Sequence, residues 1–344
     1  MSNSIVGLDI GATGIRAAEV TRTRKGPKLV RYHSLALPSG VLQRGEVIEP
    51  QVITSALKTL WKQGKFSTNR VVLGIGNDKV IARELTVQNA PLPIIRESLP
   101  FQVHDLLPVP VADAILDFYP IADAGHGQVQ GLLVAAMKEG VLATIDAVRR
   151  AKLEPQSVDF VPFAISRALL PVTDAEDAVA VVDVGAHTTS VVIVSGGVPQ
   201  FVRIIPTGGD EVTHALHSRL DIDRQTAEAA KRALGLGVQE IAPHDQPAVD
   251  AIREVTGELV TGVRNTITYF ASARPGLPVR SAMLTGDGAS LAGFTAALGE
   301  VLRMPIQRGN PFGALAVRDR DRDRTAADST RAVVAVGLAM RSAA

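Results

Sequence analysis

Apolar residues follow two patterns that alternate along the chain. Short, continuously apolar runs such as 71–75 are typical of strands buried on both faces of a sheet. Longer segments such as 50–63 repeat apolar residues at helical spacing, as Ile53, Leu57 and Leu60 do. The alternation of the two patterns predicts an α/β fold.

These patterns divide the chain into predicted elements. Strands are predicted at 4–10, 14–22, 28–36, 71–75, 83–87, 115–121, 130–137, 198–205 and 281–285, with two more within 179–194. Helices are predicted at 50–63, 94–107, 139–151, 162–170, 211–220 and 331–341, with 221–275 largely helical and a further helix beginning at Ser290. The β-α-β-β-α order after residue 79 predicts an inserted α+β subdomain.

The stretch GLDIGATG near the start of the chain has a second copy in the middle. Residues 179–194 again give an apolar strand, an aspartate, a glycine, a polar turn and a second apolar strand. Asp183 lies 174 residues after Asp9, and Gly185 lies 174 residues after Gly11. The copies therefore occupy matching places in two halves of a chain of 344 residues.

The repeat predicts two similar lobes that face each other, each contributing one hairpin. The first lobe is expected at 1–177, with a core of 1–78 and 154–177 and the inserted subdomain at 79–153. The second lobe is expected at 178–344, with a core of 178–217 and 280–344 and a helical subdomain at 218–279.

The two hairpins have the composition of a phosphate site. Glycines let the backbone approach a ligand closely, and the N–H groups of a tight turn form a concave nest for anionic oxygens. Asp9 and Asp183 would repel a phosphate unless a cation lay between them, and Mg²⁺ prefers one or two carboxylates, waters and phosphate oxygens. A single copy would favour an ordinary turn capped by its aspartate over a phosphate site. Two copies at a common offset favour the phosphate site.

Further segments have related chemistry. The glycine pair in TGGD, 207–210, precedes a helix, where free N–H groups and the helix dipole favour an anion. The turn GDG, 286–288, follows a strand, although this pattern alone is a weak signal. Glu228 and Lys231 lie three residues apart on one helix face, where an exposed ion pair is an equally good interpretation.

Composition narrows the classes of partner. The 36 basic and 35 acidic residues leave a net charge of +1, so no broad field favours nucleic acid or an anionic membrane. The chain has no cysteine, and its first residues lack the basic region of a signal peptide. A cytoplasmic chain without a membrane span is expected.

Taken together, the two Asp-Gly hairpins and the two glycine corners resemble the actin-like ATPase superfamily. The inserted block resembles subdomain 1C of FtsA and of the PilM family of type IV pilus assembly proteins. Five stretches resemble the PilM family across nearly the whole chain: LLVAAMKEGV, VDFVPFAISRAL, IPTGGDEVTHAL, NPFGAL and VAVGLAMR. The resemblance implies a two-lobed α/β actin-like ATPase fold with an inserted subdomain 1C and a helical subdomain 2B.

The resemblance also implies a set of site residues for ATP and Mg²⁺. Asp9 and Asp183 would act around Mg²⁺ through water, and Asp159 would lie near the attacking water. Arg16 stands where relatives have a lysine that reaches phosphate, and Asp287 stands where they usually have glycine. The remaining implied nucleotide contacts are Gly11, Ala12, Thr13, Gly14, Gly185, Ala186, His187, Thr188, Gly208, Gly209, Glu228, Lys231, Gly286, Gly288 and Ser290.

The family further implies a partner. PilM-like proteins bind the N-terminal cytoplasmic segment of PilN, an inner-membrane protein, in a groove between subdomains 1A and 1C. The chain would then be recruited to the inner face of the cytoplasmic membrane, with nucleotide state tuning partner binding or self-association. Any hydrolysis of ATP is expected to be slow.

Other functions remain open from the sequence. An FtsA-like division protein would carry a separate amphipathic membrane helix after the predicted helix at 331–341. A sugar-type kinase would need an acceptor pocket, for which no pattern is found. A pseudo-ATPase scaffold that binds nucleotide only for stability fits the same residues.

Overall fold

The computed structural model describes residues 4–170, 177–237, 241–313, 315–317 and 328–341. The strands are β1 (Ser4–Gly11), β2 (Gly14–Thr23), β3 (Gly26–Ala36), β4 (Leu42–Gln43), β5 (Glu46–Val47), β6 (Arg70–Ile75), β7 (Ile81–Gln88), β8 (Ala114–Gly125), β9 (Gln128–Met137), β10 (Glu154–Phe160), β11 (Ala178–Val184), β12 (Thr189–Ser195), β13 (Val198–Ile205), β14 (Val279–Thr285) and β15 (Ile306–Arg308). The helices are α1 (Pro50–Gly64), α2 (Leu92–Gln102), α3 (Lys138–Arg150), α4 (Val161–Leu169), α5 (Gly209–Leu220), α6 (Arg224–Leu234), α7 (Gln246–Ala273), α8 (Phe294–Leu302) and α9 (Ser329–Ala339).

Two five-stranded sheets share one topology. The first has the order β10-β6-β1-β2-β3 and the second has the equivalent order β15-β14-β11-β12-β13. In each sheet the central strand pairs antiparallel with the hairpin strand that follows it and parallel with the strand on its other side. Asp9 lies opposite Arg16 in the first hairpin, and Asp183 lies opposite Ser190 in the second. The predicted two-lobed α/β fold is therefore confirmed.

The central strands are apolar because helices cover them on both faces. Leu8 of β1 and Val182 of β11 are fully buried. Burying a side chain of this size contributes roughly 1.5–3 kcal/mol. This layering fixes the strand ends, and with them the turns that carry Asp9 and Asp183.

The inserted block folds as predicted in its order of elements. Strands β7, β9 and β8 form a three-stranded antiparallel sheet accompanied by α2 and α3. The helix predicted at 94–107 is wrong at its end, because α2 stops at Gln102 and Val103 takes a non-helical φ of −114°. Pro108 and Pro110 follow, and the residue before a proline disfavours helical geometry.

Helix α9 lies against the first lobe, although the predicted division places residues 280–344 in the second. A Cβ added to Gly7 of β1 would come within 2.0 Å of Ala335 O, and one added to Gly337 would come within 1.9 Å of Ala164 O. Only glycine permits these close approaches. The lobe boundaries stay predictions.

Two smaller points complete the fold. Ser290 does not begin a helix: it ends a short 3₁₀ turn at Gly288–Ser290, and α8 begins after Gly293, whose φ is +87°. Across the helices of the described segments, none is both long and apolar enough to cross a membrane.

Candidate functional site

The turns of the two hairpins face a common cleft between the sheets. Its lining includes Asp9 and the first turn, Gly11–Thr13, together with Asp183 and the second turn, Gly185–Thr188. The two copies of the hairpin, 174 residues apart in sequence, thus lie at one cleft in the structure. Gly14 and Arg16 belong to the same hairpin, and Arg16 also lines the cleft.

The two carboxylates influence each other. Burial and the negative charge of Asp9 raise the pKa of Asp183 to about 7, while Arg16 lowers it. Burial also raises the pKa of Asp9, and the guanidinium of Arg16 opposes this rise. Two acids in a poorly solvated site beside the Arg16 guanidinium favour an additional cation between them.

Arg16 is folded back onto the first turn. Its Nη1 lies 3.5 Å from Asp9 Oδ2 and donates to Gly14 O at 3.4 Å, while Nη2 donates to Thr13 Oγ1 at 3.2 Å. Its side chain is only 12% exposed. The arginine therefore places positive charge at the base of the glycine turn, beside the position expected for phosphate.

The second turn is built together with the start of α5. Gly185 N donates to Thr188 O at 2.9 Å, and Gly209 N donates to Gly185 O at 2.9 Å. A Cβ at Gly208 would come within 2.5 Å of Ala186 O, so the glycine is required for the helix start to reach the turn. Asp210 N likewise donates to Ala186 O at 2.8 Å, so the start of α5 is bonded to the turn. That this corner binds an anion stays a prediction.

Acidic and basic side chains surround this corner. His187 Nδ1 lies 3.7 Å from Asp210 Oδ2, and Arg224 Nη2 donates to Asp210 Oδ1 at 2.6 Å. Sequence reasoning did not select Asp210 or Arg224. The position of Asp210 directly after the glycine pair is the signal that could have pointed to it.

The Glu228 and Lys231 pair joins α6 to the same corner. Lys231 Nζ lies 2.6 Å from Glu228 Oε2 and donates to Gly209 O at 3.1 Å and to Thr213 Oγ1 at 2.9 Å. Burial raises the pKa of Glu228, but hydrogen bonds from Lys231, Thr213 and Arg232 outweigh this and hold the pKa below its usual range. The pair is not a plain exposed ion pair, because Lys231 is bonded to the backbone of the glycine pair. Neither residue is among those that line the cleft.

A third corner is formed by the turn after β14 and the start of α9. Gly286 has φ +89°, and Thr330 O accepts from Thr285 Oγ1 at 3.0 Å and from Gly286 N at 3.3 Å. Asp287 accepts from Arg331 Nε at 2.8 Å and pairs with Nη2 at 2.7 Å.

Four of these residues, Gly286, Asp287, Thr330 and Arg331, line the cleft, whereas Gly288 and Ser290 do not. A Cβ at Gly209 would lie 3.2 Å from the Cα of Gly288, so the second and third corners are adjacent. Arg331 was not predicted, since it lies 44 residues from Asp287 and carries no local signal.

Asp159, the predicted catalytic residue, lies outside the cleft lining. Its Oδ2 accepts from Arg167 Nη1 at 2.9 Å, and its Oδ1 accepts from the N–H of Phe160 at 3.0 Å and lies 3.9 Å from Arg341 Nη1. The same Arg167 Nη1 donates to Gly337 O of α9 at 2.7 Å. The carboxylate therefore stabilises the packing of α4 against α9, and its catalytic role stays a prediction.

The residues at the cleft suit a magnesium-nucleotide better than a metal held by protein alone. Within the described ranges, no group of three or more histidine, cysteine, aspartate and glutamate side chains is placed to hold a metal ion. Asp9 and Asp183 supply two carboxylates. This number suits Mg²⁺ when phosphate oxygens and water complete its coordination.

The cleft extends from the two turns towards the inserted subdomain. Its far wall includes Arg44 and Glu46 of the β4-β5 hairpin region and Met137 and Gly140 at the start of α3. Glu46 Oε1 accepts from Lys79 Nζ at 2.6 Å, which ties this hairpin to the segment after β6. One cleft thus contacts both lobes and the inserted block.

The fold is shared with several solved structures. The chain aligns with a PilM-PilN type IV pilus biogenesis complex at a TM-score of 0.87 and 30% identity, over 98% of both chains. It also aligns with the ethanolamine utilization protein EutJ of Carboxydothermus hydrogenoformans (TM-score 0.58, 17% identity, 97% of this chain and 88% of the other). A third is MreB5 of Spiroplasma citri bound to AMPPNP (TM-score 0.57, 12% identity, 98% and 95%). The last two likenesses show the fold alone.

Sequence relatives point in the same direction. The cell division protein FtsA of Bacillus subtilis is 22% identical over 296 residues, which cover 78% of this chain and 65% of FtsA. FtsA of Streptococcus pneumoniae is 26% identical over 262 residues, covering 75% of this chain and 52% of that protein. The chain therefore spans about half to two thirds of the length of these relatives.

A family model covers nearly the whole chain. The model describes the type IV pilus assembly protein PilM and matches residues 7–343. The match includes both hairpins, the inserted subdomain and α9. The chain therefore belongs to the PilM family of type IV pilus assembly proteins.

Proposed function

We propose that this chain is an ATP-binding component of a type IV pilus assembly platform, and that its nucleotide state tunes its affinity for a PilN-like inner-membrane protein. The observation that carries the proposal is the pair Asp9 and Asp183, set between two glycine turns that face one cleft. The relative solved as a PilM-PilN complex supports the choice of partner.

The phosphates of ATP would lie between the two glycine turns. Backbone N–H groups there favour anionic oxygens, and Mg²⁺ would offset the repulsion between those oxygens and the two carboxylates. Arg16 would contribute positive charge beside the first turn. Lys231 would stabilise the start of α5, beside the second turn, through its hydrogen bond to Gly209 O. Bound Mg²⁺ would supply charge neutralisation for the phosphates at this place.

The shape of the cleft supports coupling between nucleotide and partner. The same cleft is lined by Asp9 of the first lobe, Asp183 of the second and Gly140 of the inserted subdomain. A nucleotide that contacts the two lobes and the inserted subdomain would bind one relative arrangement of these parts more tightly than others. A ligand shifts a conformational equilibrium only through such a difference in affinity between the states. The proposed partner groove lies between the core of the first lobe and the inserted subdomain, so a change in their arrangement would change the groove.

Recruitment to the membrane would follow from the partner. The proposed PilN-like segment is the cytoplasmic N-terminus of an inner-membrane protein, and its binding would hold this chain at the inner face of that membrane. No membrane helix of the chain's own is needed for this role.

Calorimetric titration with Mg-ATP tests the nucleotide site. Asp9→Asn and Asp183→Asn remove one negative charge each with little change in volume, and we expect each to weaken Mg-ATP binding about 10- to 100-fold. Asp146→Asn, at an exposed position on α3, is the matched control and should bind like the parent chain. Unchanged affinity in both cleft variants would refute the site.

Fluorescence anisotropy with a labelled PilN-like N-terminal peptide tests the partner and the coupling. The peptide affinity should differ about 5- to 150-fold with and without Mg-ATP, and the peptide should change ATP affinity by the same factor. Equal peptide affinity with and without Mg-ATP would refute nucleotide tuning but would still support the PilN-like partner. No peptide binding in either state would refute the partner.

A further inference from the structure

A second cavity lies at the opposite end of the first sheet from the nucleotide cleft. It is lined by three arginines, Arg22 of β2, Arg70 of β6 and Arg341 after α9, together with small and apolar residues. Strand β2 runs from Gly14 at the cleft to Thr23 at this end, about 30 Å at the usual rise of ~3.3 Å per residue. This end of the sheet therefore forms a separate surface.

Each of the three arginines at this cavity donates to a neutral oxygen. Arg22 Nη2 donates to Met340 O at 3.5 Å, Arg70 Nε donates to Gln156 Oε1 at 3.3 Å, and Arg341 Nη1 donates to Val158 O at 2.9 Å. A guanidinium carries five N–H donors, so Arg70 and Arg341 have donors beyond these bonds.

Two acids lie in the same region. Glu154 is opposite Arg70 in strand register, and Asp159 Oδ1 is 3.9 Å from Arg341 Nη1. Among the residues that the structure describes, three arginines and two acids leave positive charge at the cavity.

The positive charge continues beyond the cavity along the β2-β3 hairpin. Residues 21–28, TRTRKGPK, contain four basic residues and no acid. Arg24 and Lys25 form the exposed tip. Thr23 Oγ1 fixes this tip by donating to Gly26 O at 2.8 Å and accepting from Lys25 N at 3.2 Å. The basic side chains at the tip therefore project from a turn that is fixed by its own hydrogen bonds.

We propose that this basic end, which comprises the hairpin tip and the arginine cavity, binds the phosphate groups of anionic phospholipids. A guanidinium cluster recognises phosphate, and the cavity alone would suit one such group. The tip extends the positive charge beyond one phosphate, which favours a surface of many headgroups over a single free ion. Juxtaposed basic residues are attracted to the negative potential of an anionic leaflet in this way.

Sedimentation of the full chain with lipid vesicles tests the proposal. We expect binding to vesicles of phosphatidylcholine mixed with phosphatidylglycerol, and none to phosphatidylcholine alone. Binding should weaken as salt is raised, because ions screen exposed charges. Each basic residue near an anionic leaflet changes affinity about fivefold, so Arg24→Glu with Lys25→Glu should weaken binding about 30-fold or more.

A matched double variant controls for the change in net charge. Lys58→Glu with Arg264→Glu alters exposed residues on α1 and α7 and should leave vesicle binding within about twofold of the parent. Arg70→Gln in the cavity should weaken binding about fivefold. Thermal unfolding midpoints of all variants should stay close to that of the parent, because none of these side chains is buried.

Three results would overturn the proposal. Equal binding to neutral and anionic vesicles would show that charge does not direct it, and equal loss in the two double variants would assign the effect to net charge. Calorimetric binding of inorganic phosphate without any vesicle binding would assign the cavity to a free anion instead. Selective loss in the hairpin and cavity variants would support the membrane surface.

Discussion

Asp183→Asn gives a direct test of the charge arrangement at the cleft. The pKa of Asp183 rises from 3.8, its ordinary value, to about 7, because burial and the negative charge of Asp9 disfavour its ionised form. Asparagine resembles the protonated acid in shape and cannot ionise. The variant should therefore remove the free-energy cost of ionising this side chain in the folded protein.

The sign and the size of the pH effect on stability follow from this shift in pKa. As pH rises, the unfolded chain loses the proton near pH 3.8 and the folded chain keeps it until about pH 7. Between these values the folded state binds more protons, so the free energy of unfolding falls with rising pH. One pKa unit corresponds to about 1.4 kcal/mol, so the loss approaches about 4 kcal/mol above pH 7 and is absent below pH 3.8.

Urea unfolding at pH 5 and pH 8 without divalent cations measures this effect. The parent chain should lose more stability than Asp183→Asn between these values, by up to about 3 kcal/mol. Asp146→Asn changes an exposed acid on α3 and should follow the parent.

Magnesium supplies the second arm of the experiment. At pH 8, Mg²⁺ should recover stability in the parent and not in Asp183→Asn, since the ion favours the ionised carboxylate. Identical pH profiles for the parent and Asp183→Asn would refute the raised pKa of Asp183.

Three further changes have defined outcomes. Gly337→Ala places a Cβ 1.9 Å from Ala164 O and should lower the free energy of unfolding by about 3 kcal/mol in urea titrations, while Gly313→Ala, with 3.5 Å to its nearest atom, should cost less than about 1 kcal/mol. Arg331→Ala should change ATP affinity in calorimetry, because it frees the Asp287 carboxylate at the cleft; an unchanged value would remove both from the nucleotide site. Asp159→Asn should lower the thermal midpoint through its arginine contacts, and lost ATP turnover at an unchanged midpoint would instead support its predicted catalytic role.

The two-lobed fold was predictable because the repeat and the periodic patterns are local features of the sequence. Each hairpin is specified within about twenty residues by an apolar strand, an aspartate and a glycine turn. The end of α2 and the absence of a helix start at Ser290 were not predictable from the sequence. Both depend on the φ of single residues such as Val103 and Gly293. Element boundaries of this kind are set by backbone geometry that the apolar pattern does not describe.

The site was predictable only in part for a similar reason. The glycine turns and the aspartates carry their own local signal, and the structure brings them to one cleft. The contacts of Asp287 with Arg331 and of Asp159 with Arg167 are ion pairs between different elements, visible only once those elements are placed. An acidic residue therefore carries little information about its role until its partner is known.

Helix α9 shows why the two lobes should respond to the cleft together. Near its first residue, Thr330 O accepts hydrogen bonds from Thr285 Oγ1 and Gly286 N, which lie at the end of β14 in the second sheet. Its body lies against β1 at Gly7, one residue before Leu8 and two before Asp9, and Gly337 O accepts from Arg167 of α4. Close backbone packing transmits displacement because it leaves no space to absorb it. A movement of the corner at Gly286 would therefore be transmitted through α9 to β1, the strand that carries Asp9.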